Sequence, residues 1–325
     1  MKQIRVVLVL AMMAVLLAAC GDDDDDTDGR EPAASEFSVA ATTTIIADLA
    51  RNVAGDRASV TSVIPPGADP HDFEPTPEDV ETIAEARLIL AHGLNYDSWA
   101  RDLAEQSGAD APLAEVTGGV TLIAGDGHSH DHEHEEDEHD EGDHDDHEDD
   151  PHVWFDVANV KVMTANIRDE LIDADPDGRE VYEANAAAYL EELDELDDWI
   201  HEQVATIPEH ARKLVTSHEA FGYFVTAYGF EYVGTVIQSL DSQAQPSARQ
   251  IDDLLRLIED EGVRAIFTET TVNPDLTETI ADEAGIAVVT DLYSDSLSDD
   301  GSETDTYIGM MRHNTSAIVG ALAGE

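Results

Sequence analysis

The sequence predicts an α/β protein with two halves, each a parallel sheet flanked by helices, and one long rigid helix between them. Two observations carry this. Short apolar, β-branched runs alternate with amphipathic helical stretches in both halves, the pattern of parallel sheets with helices on their faces. Between the halves lies "DGREVYEANAAAYLEELDELDDWIHEQVATI", Asp177 to Ile207. It keeps apolar residues at helical spacing (Tyr182, Tyr189, Leu190, Leu193, Leu196, Ile200, Val204) and has no Gly or Pro after Gly178. Some thirty residues rising about 1.5 Å each make a rod of roughly 40 Å. The expected layout is a first lobe over 37–176, the linking helix over 177–207 and a second lobe over 208–325.

Taken in order, "FSVAATTTII" (Phe37–Ile46) reads as a strand leading into a helix that closes near Gly55. "ASVTSVI" is a second strand. Thr76 caps a helix with Pro77 at its first position and acids behind it, a favourable start because Pro has no N–H to leave unpaired. "ARLILAHG" is a third strand. In the second half "RKLVTSH", "FEYVGTVI", "VRAIFTET" and "IAVVTDL" are strands. "SARQIDDLLRLIEDEG" and "NPDLTETIADEAG" are helices that end in glycine, and no internal sequence repeat relates the two halves.

With 325 residues, 42% of them apolar, the chain can hold two domains of ordinary size. Its formal net charge is −57. Residues 126–150 hold fifteen carboxylates and Asp22 to Asp28 six more, and the remainder is acidic too. Phosphates would be repelled, which argues against nucleic acid as a partner. A solvated acidic surface also suits high salt, where screening weakens self-repulsion.

Lys2 and Arg5 precede an apolar run, Val6 to Ala18, that is short for a membrane span and fits an export signal. It ends in Leu17-Ala18-Ala19-Cys20, which resembles a bacterial lipobox; the alternative is a plain signal peptide with an incidental cysteine. Cleavage after residue 19 would leave Cys20 lipidated and the protein anchored outside the cytoplasm on the cell membrane. Cys20 is the only cysteine, so no intrachain disulfide forms. Residues 20–36 read as a disordered acidic tether.

Four residues suggest chemistry. His71 sits in the proline-rich "PPGADPHDFEPTP", His152 in "DPHVWFD", His218 at the end of "LVTSH" and Asp295 in "YSDSLSDD". Three of them follow a strand directly, and open α/β sheets bind ligands outside the carboxyl ends of their strands. Two from each half could meet in one cleft between the lobes. Imidazoles with one carboxylate suit Zn²⁺ without any thiolate. A lone histidine at a strand end more often serves structure than ligation, so the joint pattern carries the reading.

Through "GADPHDFEPTP", "DPHVWFD", "LVTSHEAFGYF", "PSARQIDDLL" and "YSDSLSDDGSETDTYIGMMRHN" the chain resembles the cluster A-I solute-binding proteins of ABC transporters, the ZnuA, TroA and PsaA-like metal receptors. The resemblance covers nearly the whole mature chain. It implies two α/β lobes joined by one long helix, with a single metal between them held by His71, His152, His218 and Asp295. It implies a monomeric, non-enzymatic receptor that hands its ion to a membrane permease with its ATPase. Histidine at the third position is typical of zinc-type members, where manganese receptors carry glutamate. Zn²⁺ is therefore the first expectation, and an Mn²⁺ or Fe²⁺ receptor of the same family the alternative. The disulfide of some zinc members is missing, which removes a brace from the second lobe.

The tract between the first two ligand segments places His128, His130, His132, His134, His139, His144 and His147 among carboxylates, with no apolar residues to build a core. It reads as a disordered accessory that binds several ions weakly, because ordering entropy opposes each site; an inert solvated loop is the alternative. High affinity needs a preorganised shell, which the tract lacks. Glu219 and Asp72 adjoin ligands and are expected to accept from imidazole N–H groups. His92 is expected to be structural or to support the ligands. Trp154, Phe155, Phe221, Tyr223 and Phe224 are expected to pack the cleft, and His201, His210 and His313 to lie at helix ends or on the surface. One rival is a zinc hydrolase using His71, His152 and His218, but "HEAF" lacks the second histidine of an HExxH helix. Another is a metal-buffering or adhesion lipoprotein that uses only the tract.

Overall fold

A computed structural model describes residues 37–123, 149–239, 244–299 and 301–323. Cys20, the export signal and the tether lie outside the described residues, as do His128, His130, His132, His134, His139, His144 and His147. The first half runs β1 (Ser38–Ala41), α1 (Thr44–Ala54), β2 (Ser59–Ser62), α2 (Pro77–Glu85), β3 (Leu88–Ala91), α3 (Trp99–Ser107) and β4 (Leu113–Glu115). Two helices follow, α4 (Val157–Ala174) and α5 (Arg179–Val204). The second half runs β5 (Lys213–Thr216), α6 (Gly222–Tyr228), β6 (Glu231–Thr235), α7 (Ala248–Glu261), β7 (Ala265–Glu269), α8 (Asp275–Ala284), β8 (Ala287–Leu292) and α9 (Tyr307–Leu322).

Every strand pair is parallel. The two sheets have orders β2-β1-β3-β4 and β6-β5-β7-β8, one topology used twice without a sequence repeat. Helices cover both faces, so strands such as Leu88–Ala91 are buried throughout. The two-residue period then divides each strand between two cores. Val39, Ala41, Leu88 and Leu90 of the first sheet and Leu214, Ala265 and Phe267 of the second face one continuous core with α1, α4, α5 and α9. Ala40 and Ile89 face outward to α2 and α3, while Val215 and Ile266 face α7 and α8.

The linking helix appears as α5, 26 residues long, with Pro176–Gly178 forming a 3₁₀ turn before it. Its buried stripe is Tyr182, Ala186, Tyr189, Leu193, Leu196, Ile200 and Val204; Leu190, expected in that stripe, is only partly buried. Asp175 anchors the start, accepting from Arg57 Nε at 2.7 Å, Arg57 Nη2 at 2.8 Å and Tyr182 OH at 2.8 Å. Against expectation, the strand at Phe37–Ile46 stops at Ala41. The Thr43 hydroxyl accepts from Ile46 N at 3.3 Å, so this β-branched run caps and opens α1. The Thr44 hydroxyl then accepts from Leu297 N across the lobes at 2.9 Å.

Further bonds close the seam between the lobes. Trp154 Nε1 donates to Ser294 O at 2.9 Å, and Tyr307 OH to Trp154 O at 2.8 Å. Tyr307 N donates to Asp48 Oδ2 at 2.9 Å, and Gly67 N to the Ser296 hydroxyl at 2.8 Å. No helix among the described residues is long and apolar enough to cross a membrane.

Candidate metal centre

His71, His152, His218 and Asp295 each bring one ligand atom to a common point, all within 4.8 Å of one another. His71 lies in a 3₁₀ turn, Pro70–Asp72, whose start is fixed by Asp69 Oδ1 accepting from His71 N at 2.9 Å. His152 stands between Pro151 and the buried turn Val153–Phe155. His218 comes two residues after β5, its carbonyl accepting from the Thr216 hydroxyl at 2.8 Å. Asp295 follows β8. Three of the side chains are fully buried, and that of His71 keeps 13% exposure.

Asp295 is the hub. Its Oδ1 lies 3.2 Å from His152 Nε2 and 3.7 Å from His71 Nε2, and its Oδ2 lies 3.6 Å from His218 Nε2. Ligands at about 2.05 Å from a tetrahedral zinc stand about 3.3 Å apart, close to these separations. All three Nε2 atoms are buried without a hydrogen-bond partner among the described residues. Unpaired buried polar atoms are unfavourable unless something else meets them, and three imidazole nitrogens converging on a carboxylate is what a divalent ion would satisfy.

The electrostatics agree. Burial pulls His152 and His218 down, but the neighbouring carboxylates outweigh it and raise both above the ordinary histidine value. Burial would push Asp295 up; the close approach of the His152 and His71 imidazoles and the charge of His218 hold it well below the usual carboxylate range. The site favours positive charge at its centre, protons or a cation.

Outer contacts fix the imidazoles. Asp150 Oδ1 accepts from His152 N at 2.9 Å and stands 2.7 Å from its Nδ1. Glu269 Oε2 stands 3.4 Å from His218 Nδ1, without the geometry of a hydrogen bond. These two carboxylates, and not Asp72 and Glu219, flank the outer nitrogens of His152 and His218; Asp72 is exposed and Glu219 part-buried. Sequence reasoning gave Asp150 to the acidic tract and saw Glu269 only as the end of a strand. His92 supports the site as expected: it is buried, its Nε2 bonds Pro151 O at 2.8 Å, and burial lowers its pKa to about 4 despite Asp97 nearby.

Tyr96 was also missed. Its hydroxyl donates to Asp295 Oδ1 at 3.2 Å. It is delivered by three left-handed residues in a row, Gly93 (φ 91°), Leu94 (φ 53°) and Asn95 (φ 61°). Two of these are not glycine, the kind of backbone strain that persists where surrounding contacts over-determine it. Trp154, Phe155, Phe221, Tyr223 and Phe224 are all buried, as expected. His201 and His210 are exposed, and His313 Nε2 bonds Asp291 O at 2.9 Å on the edge of the second lobe.

Residues 39–321 match the family described as ZnuA, zinc-uptake complex component A, periplasmic. The chain is 37% identical over 280 residues to the manganese-binding lipoprotein MntA of Halalkalibacterium halodurans, spanning 86% of each. It is 31% identical over 294 residues to the manganese ABC transporter substrate-binding lipoprotein PsaA of Streptococcus pneumoniae, spanning 89% of this chain and 90% of the relative. It is similar to the solved structure of the periplasmic zinc binding protein TroA from Treponema pallidum, with a TM-score of 0.77, 28% identity, and coverage of 89% of this chain and 99% of that one. The sheets, the helix between them and these matches agree, and the chain belongs to the ZnuA/TroA/PsaA family of metal-binding solute-binding proteins of ABC transporters.

Proposed function

We propose that the chain is a lipid-anchored extracytoplasmic receptor that binds one Zn²⁺ through His71, His152, His218 and Asp295 and passes it to a membrane permease with its ATPase. The carrying observation is the convergence of three buried, unpaired imidazole nitrogens on one buried carboxylate. Three nitrogens and one oxygen make a donor set that suits zinc, and four protein ligands leave no open position for a reacting water, so the reading is transport and not hydrolysis. Cys20 would carry the anchor, and His128 to His147 would collect ions weakly.

Manganese is the second reading, favoured by the names of the MntA and PsaA relatives. Carboxylate-rich surroundings tolerate it, since Asp295 can offer both oxygens. The test is elemental analysis of protein purified without added metal, then competition between Zn²⁺ and Mn²⁺ for the tight site. Zinc is expected to displace manganese at equal concentration; displacement in the opposite direction would make this a manganese receptor. Asp150 belongs with the cleft, so a variant lacking the tract should omit residues 124–148 only. One tight ion is expected to remain in it.

A further inference from the structure

We propose that Tyr223, on the second lobe, is a positioning residue for His152 on the first, and that it links contact between the lobes to retention of the metal. The inference rests on the metal-receptor reading above and concerns how the same site holds its ion.

The described residues stop at Ile123 and resume at Asp149. Asp150 N donates to Ile123 O at 3.1 Å, which joins the two described ends. The Tyr223 hydroxyl completes the junction from across the seam. It accepts from Ile123 N at 3.2 Å and donates to Asp150 O at 2.8 Å, so one oxygen bridges both ends. Tyr223 is 2% exposed, on the second residue of α6. Gly222 before it lies so close that an added Cβ would stand 2.9 Å from both Asp150 Oδ2 and Ile123 Cδ1. The second lobe is therefore fitted to these two residues in shape as well as in hydrogen bonding.

What Tyr223 holds matters because of what Asp150 does. The Asp150 side chain contacts both the backbone N and the ring Nδ1 of His152, fixing the rotation of the ring and directing Nε2 at Asp295. On the first-lobe side the segment before Ile123 is tied through Asn159, whose side chain pairs with Thr121 N at 2.8 Å and Thr121 O at 3.1 Å. Asn159 would stay with Thr121 if the lobes moved apart; Tyr223 would not. Separation would then free the Asp150 end and with it the ring of His152, before any ligand had to be pulled away directly.

The test measures zinc release from the loaded full chain into excess chelator by stopped flow. His152→Ala identifies the slow phase that belongs to the cleft. Tyr223→Phe, which keeps the ring, is expected to speed that phase about tenfold, the low end for loss of an outer partner of a ligand. Asp150→Asn should speed it at least as much, and adding Tyr223→Phe to Asp150→Asn should change little further. Gly222→Ala, which displaces the junction with the hydroxyl intact, should reproduce the faster release. A purely structural tyrosine would lower the melting temperature and leave release unchanged. Parental release in Tyr223→Phe, or effects that multiply in the double variant, would overturn the proposal. If Tyr223→Phe does not fold, Gly222→Ala decides by the same measure. Persistence of the slow phase in His152→Ala would instead mean that the site itself is misassigned.

Discussion

The two lobes offer two groups each to the centre, from sheets of the same strand order, but they hold them by different means. In the second lobe the candidate ligands come off the sheet: His218 two residues past β5, Asp295 three past β8, both fully buried. In the first lobe they stand far from any strand. His71 is nine residues past β2, and His152 comes well after β4, shortly before α4. Their positions depend on side-chain contacts, Asp69 to the His71 backbone and Asp150 to His152. A sheet fixes its strand ends collectively, whereas a turn held by one or two hydrogen bonds can let go locally. This difference predicts that the second lobe acts as the fixed jaw of the site and the first lobe as the one that yields.

The largest test of that difference is removal of the ligands themselves. Asp295→Ala takes away the only carboxylate of the four and the hub of the centre. It is expected to weaken zinc binding by roughly a hundredfold to a few thousandfold, matching the roughly 3–5 kcal/mol lost when a buried charge partner is removed. His218→Ala should come next. His71→Ala, at the one ligand with exposure, should have the smallest effect of the four in competition titrations. Equal losses at His71 and His218 would break the distinction between the jaws.

A smaller effect compares the outer carboxylates. Asp150→Asn should lower zinc affinity about 10- to 100-fold, because a contact at 2.7 Å sets the ring of His152. Glu269→Gln should lower it less, since at 3.4 Å it makes no formed hydrogen bond and the sheet already places His218. Calorimetry on the two single variants ranks them, and the reverse order would assign orientation of His218 to Glu269 instead of to the strand.

The smallest effect lies in the seam. Asp48 is buried under α9, where burial, opposed by the bond from Tyr307, pushes its carboxyl up to about 6. Arg51 pulls it down and Asp305 up. Because the folded value exceeds the unfolded one, the folded chain holds a proton that the unfolded chain releases between about pH 4 and about pH 6. This group's contribution is present below that window and is lost as pH rises through it. Asp48→Asn keeps an acceptor for Tyr307 without the charge. Its stability relative to the parent should rise by about 1–3 kcal/mol between about pH 4.5 and about pH 7.5, read from urea denaturation. No change in that difference would mean that Asp48 does not titrate in this window.

Much of this was legible in the residues. β-branched runs and glycine-ended helices marked seven of the eight strands among the described residues and the helices α1, α2, α5, α7 and α8. Of the three candidate ligands expected directly after a strand, only those of the second lobe, His218 and Asp295, are close to one; His71 is nine residues past β2. β4 escaped because three residues, Leu113–Glu115, carry too little pattern. α4 went unread although Val157, Val160, Thr164, Ile167 and Leu171 keep helical spacing, and the short α3 and α6 went unread with it. Asp150 was hidden by composition: one carboxylate among fifteen in residues 126–150 has no local mark that sets it apart. Tyr96 was hidden by geometry, since nothing in "HGLNYD" announces two successive left-handed residues that are not glycine.

The continuous core has a consequence for what counts as a separable part. By hydrogen bonding the protein is two sheets, and each has a full set of strands and its own outer packing. By apolar contact it is one object, because Leu49 of α1, Met163 of α4, Leu193 of α5 and Met310 of α9 all belong to the same buried cluster. Cutting the chain at α5 would not yield two finished halves. Each would keep its sheet and bare the flank that its counterpart had kept dry. A fragment swap between relatives must therefore exchange those helices together with the sheet they serve, or create a mismatched interior far from the candidate metal centre.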